Sequence, residues 1–221
     1  PAGVLHRIPD ALAFDRAALT EPLSIAVNAV DVAEVGAGDR VVVLGPGPIG
    51  AACAFVAQER GARVLLVGLN DGARLRIAER MGIAVTCDLS EQGLDAAVRE
   101  TFGGRCDRVI EATGAAASVG QGLSVLRPEG IFVAAGIHAQ PCELDLSRLV
   151  REKKQLRGVH DTTARAFAEA IALLARRGDA LAHLITHRLP LAEGEAAFDL
   201  ARGGGAMKVL LLPDQTKGQT T

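Results

Sequence analysis

The chain has 221 residues, 49% of them hydrophobic, and a formal net charge of −2. That length and apolar content are enough for one sizeable core, and the near-neutral charge excludes the electrostatic grip that nucleic acid or an anionic membrane surface demands. With six Phe, no Trp and no Tyr, the core falls to Val, Leu, Ile and Ala, which suits a parallel sheet wrapped in Ala-rich helices.

Residues 1–13 read as an extended lead-in with a turn at Pro9-Asp10. Thr20 is expected to cap a helix that has Glu21 and Pro22 in its first turn and ends before Gly36 and Gly38. Arg40 to Leu44 is a continuous apolar run, as in a strand buried on both faces. A Gly-Pro loop follows, then a helix over Ile49 to Arg60. Strands at Arg63 to Leu69, Ala84 to Cys87, Asp107 to Ala112 and Ile131 to Ala135 alternate with helices at Gly72 to Met81, Leu94 to Thr101 and Val119 to Leu126, with a turn at Arg127 to Gly130. A sixth strand is expected at Gln155 to Val159, helices at Ala164–Arg177 and Ala192–Arg202, and a terminal strand at Met207 to Leu212. This alternation predicts an α/β fold, a Rossmann-type doubly wound six-stranded parallel sheet with helices on both faces.

Cys53, Cys87, Cys106 and Cys142 are scattered, with no Cys-x-x-Cys pair and no zinc-ligand spacing. Free thiols in a reducing, cytoplasmic setting are expected. No apolar run reaches the length of a membrane span, and the first residues do not read as a signal peptide.

The chemistry concentrates in Gly45-Pro46-Gly47-Pro48-Ile49-Gly50, directly after a buried strand and opening a helix. Gly45 permits the tight turn, Gly47 lets a pyrophosphate approach the backbone, and Gly50 lets the helix pack closely on the strand. The first N–H groups of the helix, with its dipole, then face the phosphates. Pro48 and Ile49 complete the loop. A carboxylate that holds the adenosine ribose is expected about 20 residues on, at the end of the second strand. Gly68 stands there, with Asn70 and Asp71 beyond it. Its loss removes the group that repels a 2′-phosphate, and Arg74 is a candidate to meet one, so NADP and NAD both remain open.

Leu5-His6-Arg7-Ile8-Pro9-Asp10, Glu21-Pro22-Leu23, the glycine loop, Ile185-Thr186-His187-Arg188-Leu189-Pro190-Leu191 and Lys208-Val209 together resemble the C-terminal part of the medium-chain, zinc-type alcohol and polyol dehydrogenases, which include sorbitol and threonine dehydrogenases. The resemblance implies that Glu111-Ala112-Thr113-Gly114 and Ala135-Gly136-Ile137 form loops beside the nicotinamide half of the cofactor. It gives Thr113, Gly114, Gly136 and Ile137 cofactor-side roles. It sets Lys208 near the pyrophosphate, and His160 and Asp161 toward the reactive end. It places Glu21 at the catalytic zinc, as the one catalytic and metal-side candidate in the chain. The family's other zinc ligands lie in an N-terminal domain and are absent here, so zinc is implied for the intact enzyme only. On this view residues 1–20 are the remnant of that missing domain. Residues 21–160 are the dinucleotide-binding domain, 161–213 complete the unit, and 214–221 form a disordered tail. The expected partners are a nicotinamide dinucleotide and a small alcohol or carbonyl substrate. The resemblance also implies a homodimer or homotetramer, with Gln155 to Val159 as the candidate edge for dimer pairing and a monomer with that edge covered by a loop left open.

Three other protein classes also carry a glycine loop after a first strand. A short-chain dehydrogenase needs a Tyr-x-x-x-Lys pair, and the chain has no tyrosine. A methyltransferase wants an acidic residue where Gly68 stands. A non-catalytic dinucleotide-sensing module keeps the glycine loop and stays open as the alternative to the dehydrogenase, whose hydride transfer the fragment alone is not expected to perform.

Overall fold

A computed structural model describes residues 5–213 of the chain; the tail expected over 214–221 lies outside them. The element order is α1 (Phe14–Ala17), α2 (Thr20–Val32), β1 (Arg40–Leu44), α3 (Pro48–Glu59), β2 (Arg63–Gly68), α4 (Gly72–Arg80), β3 (Thr86–Asp88), α5 (Leu94–Phe102), β4 (Cys106–Glu111), α6 (Ala116–Val125), β5 (Leu126–Ala134), α7 (Leu146–Arg151), β6 (Gln155–Gly158), α8 (Ala164–Leu181), β7 (Ile185–Pro190), α9 (Gly194–Arg202) and β8 (Lys208–Leu212).

Strands β1 to β6 form one parallel sheet in the order β3-β2-β1-β4-β5-β6. The order reverses between β1 and β4, which opens a crevice above their C-terminal ends. Alternate side chains of β1 serve two cores, as the two-residue period of a strand requires. Val41 and Val43 join residues of α2, α3, α4 and α8 on one face. Val42 and Leu44 join residues of α5 and α6 on the other. The strands therefore read as unbroken apolar runs because both faces are covered. At the far end of the sheet Asp107 ties three strands together. It accepts from Arg40 Nε at 2.9 Å and from Arg127 Nε at 2.6 Å. The site end of the sheet is left to the loops.

The structure departs from the sequence reading at several places. Thr20 lies inside α2 and does not cap it; its hydroxyl donates to the Ala17 carbonyl at 2.7 Å, because α1 and the 18–19 turn already lead into the helix. The turn at 127–130 is a loop let into β5: pairing with β4 jumps from Leu126 to Ile131, and Glu129 has φ 62°. Helices α1 and α7 and strand β7 were not anticipated. Strand β7 pairs in parallel with β8 in a separate two-stranded sheet.

Candidate functional site

The crevice has two halves. One is lined by Gly45, Pro46, Gly68, Leu69, Asp71, Leu89, Thr113 and Gln121, among others. The second is lined by Glu21, Ile25, Ile49, Ala112, Thr113, Gly136, Ile137, Val159, His160 and Asp161, among others. Thr113 borders both, so the halves meet over the glycine loop at the β1/β4 reversal.

The loop is built on backbone proximity. Gly45 has φ 101°, a conformation L side chains rarely adopt. A Cβ on Gly50 would lie 1.8 Å from the Gly45 carbonyl oxygen, so α3 can begin against the turn only with glycine there. At Gly47 a Cβ would meet nothing within 4 Å. The space above Gly47 is thus open, and Gly47 itself sits at the N-terminus of α3 with Pro48 opening the helix. Of the three glycines in this loop, Gly47 alone lacks a side chain without any steric demand from the fold, which fits a group that approaches the backbone from outside.

The other two loops are held by one buried carboxylate. Glu111, the last residue of β4, is 0% exposed. Its Oε1 accepts from the Thr113 N–H at 2.7 Å, the Gly114 N–H at 2.9 Å and the Ser118 hydroxyl at 2.9 Å, and from the Thr113 hydroxyl. Its Oε2 lies 3.0 Å from His138 Nε2. Burial pushes the carboxyl up, but the Thr113, Ser118 and Gly114 donors outweigh it and hold it below the ordinary carboxylate value. Glu111 therefore fixes the loop after β4, and through His138 the loop after β5. Those loops touch: a Cβ on Gly136 would lie 2.3 Å from the Gly114 nitrogen. Ile137 stands 85% exposed at the cleft. The roles of Glu111 and His138 were missed in the sequence. An ionisable residue ending a run of buried strand residues was the available signal.

Not every expected site residue reaches the crevice. Asn70, with φ 56°, donates its N–H to Asp88 Oδ1 and shapes the loop after β2. Arg74 is ion-paired to Asp71 at 3.5 Å and is not among the lining residues. Lys208 opens β8 in the small sheet and lines neither half. Glu21 stands at the mouth of the second half, in the first turn of α2, near His160 and Asp161. Among the described residues no three His, Cys, Asp or Glu side chains come together as a metal-holding group. The donors present do not make a zinc site.

The family described as "Glucose dehydrogenase C-terminus" matches residues 14–211. The chain belongs to that family. It is 34% identical over 212 residues to the sorbitol dehydrogenase of Halalkalibacterium halodurans, a stretch covering 95% of this chain and 62% of that protein. Among solved structures, the alcohol dehydrogenase TADH from Thermus sp. ATN1 superposes with a TM-score of 0.87 at 27% identity, covering 96% of this chain and 62% of that one. A protein from Sinorhizobium meliloti 1021, determined bound to NADP, gives a TM-score of 0.81 at 26% identity over 94% of this chain and 62% of its own. The chain thus spans about 60% of the length of these relatives, which are polyol and alcohol dehydrogenases where their function is stated. The resemblance drawn from Glu21-Pro22-Leu23, the glycine loop and the 185–191 segment holds.

Proposed function

We propose that the chain is the nicotinamide-dinucleotide-binding portion of an alcohol or polyol dehydrogenase. The observation that carries this is the open space over Gly47 at the start of α3, in a crevice that divides into two halves at the sheet's point of reversal. The diphosphate bridge lies over the Gly45–Gly50 turn, where free N–H groups of α3 meet its charge. The adenosine occupies the half lined by Gly68, Leu69 and Leu89. The nicotinamide occupies the half lined by Ile49, Thr113, Gly136 and Ile137. Such a cofactor supplies hydride acceptance or donation. The protein's own task is to hold the ring between the loops that Glu111 anchors. In the whole protein the substrate is a small alcohol or the matching carbonyl compound, and two copies pair along β6.

The test is a fluorescence titration with NADH and NADPH on the parent chain and on Gly47→Val. Gly47 has φ −66°, which valine tolerates, and its Cβ meets no atom of the fold. The variant is expected to keep its stability to within about 0.5 kcal/mol, as an uncrowded surface change does. It is expected to lose at least about tenfold in affinity, since its side chain fills the phosphate space. A parent chain that binds neither cofactor, or a variant that binds as well as the parent, overturns the reading. A dinucleotide-sensing module also binds, and what separates the two is the upstream reading frame, where a zinc-ligand domain favours the dehydrogenase.

A further inference from the structure

Gly68 ends β2 where a dinucleotide-binding fold commonly places the ribose carboxylate, and the structure shows what fills that place instead. A Cβ built on Gly68 would lie 2.8 Å from the Asp71 Cβ and 2.9 Å from the Pro46 Cγ. The volume that a side chain at 68 would enter is already taken by the stem of Asp71. Gly68, Asp71 and Pro46 of the glycine loop all line the adenosine half of the crevice. We infer that Asp71 is the ribose carboxylate of this protein, moved three residues along the chain, and that it makes NAD the preferred cofactor. This rests on the dinucleotide reading given above.

The loop that carries Asp71 is held in place from below. Asp88, at the end of β3, accepts the Asn70 N–H at 2.9 Å on Oδ1 and the Asp71 N–H at 3.0 Å on Oδ2. It also accepts both the N–H and the hydroxyl of Ser90. The backbone at 70–71 is therefore fixed by a carboxylate, with Asn70 in the left-handed region to turn the chain. Asp71 makes no capping hydrogen bond to α4, so its oxygens are not consumed by the helix it precedes. Its one described partner is Arg74, at 3.5 Å.

The same pair explains why Arg74 does not select a 2′-phosphate. Arg74 lines no part of the adenosine half, and its Nη2 lies close to Gly204 of the α9–β8 turn. A 2′-phosphate placed on the ribose would meet the Asp71 carboxylate before any cation. Two ribose hydroxyls give that carboxylate donors, whereas a phosphate gives it a like charge.

Binding of NADH and NADPH is titrated on the full 221-residue chain and on Asp71→Asn, with circular dichroism to verify that the variant folds. The parent chain is expected to bind NADH at least tenfold more tightly than NADPH. Asp71→Asn, which keeps the shape and removes the charge, is expected to weaken NADH by about tenfold or more and to tighten NADPH as the like charge facing the 2′-phosphate is removed. A parent that binds both equally, or prefers NADPH, overturns the assignment and leaves the dinucleotide reading standing. So does a variant whose NADH-to-NADPH ratio matches the parent's. A parent that binds neither overturns the dinucleotide reading and the assignment with it. Because the parent's own ratio decides the matter, a variant that fails to fold does not rescue the idea.

Discussion

At the scale of single residues, the molecule spends its buried charge on loops rather than on the core. Glu111 has no exposure and four donors aimed at one oxygen. Removing it strands those donors in a dry site, whereas an amide keeps the acceptor and loses only the charge. Glu111→Ala is therefore expected to cost about 3 kcal/mol or more and Glu111→Gln about 1 kcal/mol, measured by urea unfolding. Both are expected to weaken NADH, since the loops beside Thr113 and Gly136 lose their common anchor. The pH dependence has a definite sign. The folded carboxyl titrates below the ordinary value near 4.5, so its contribution is complete above that value. It is lost as pH falls through the lowered folded value. Glu111→Gln should flatten that acid limb, and an unchanged limb with both variants as stable as the parent would refute the anchoring role. Residue-scale legibility divides along the same line. The demands of Gly45 and Gly50 were readable because local backbone geometry imposes them. Glu111 was readable only as a neighbour of the loop, because its partners are two hydroxyls, two amides and a histidine 27 positions away.

At the scale of elements, the sheet was legible because both of its faces are covered, so β1, β2 and β4 announce themselves as apolar runs bounded by glycine and charge. What escaped was short or irregular. Helix α7 has six residues, none of them buried, and so carries no core-facing stripe to detect. Strand β7 alternates weakly and finds its partner 22 residues later in β8. The loop let into β5 carries Pro128 and Gly130, which spoke for a plain turn and hid the pairing of Leu126 with Cys106. The exposed side of the sheet makes a further expectation concrete. Strand β6 closes the sheet, pairs only with β5 among the described residues, and leaves Leu156 41% exposed, while Val150 of the preceding helix is 70% exposed. An unpaired strand edge beside exposed apolar side chains is a template for a second copy. Leu156→Lys, which leaves the β5 pairing untouched, should shift the chain from dimer to monomer in sedimentation. A parent chain that sediments as a monomer at high micromolar concentration would remove the edge-pairing proposal.

At the scale of the whole molecule, the crevice has, on the proposed reading, a cofactor side built by this chain and a substrate side to which it contributes little. The sheet, the glycine loop and the Glu111-anchored loops supply a floor and one wall. Glu21, His160 and Asp161 stand at the open mouth, and the latter two face each other at 3.2 Å, both well exposed. Hydride transfer from an alcohol also requires that its hydroxyl proton leave and its oxygen be polarised. Among the described residues no group of three metal donors performs the second task. The chain has no tyrosine to perform the first as a phenol. Cofactor binding and turnover should therefore come apart. With NAD and sorbitol, and with zinc ions added or withheld, the 221-residue chain is expected to bind the cofactor and to form no reduced cofactor above the uncatalysed rate. Sustained reduction of NAD that scales with protein concentration would show that the acid–base group lies within this chain. The first place to look would be the Glu21, His160 and Asp161 rim.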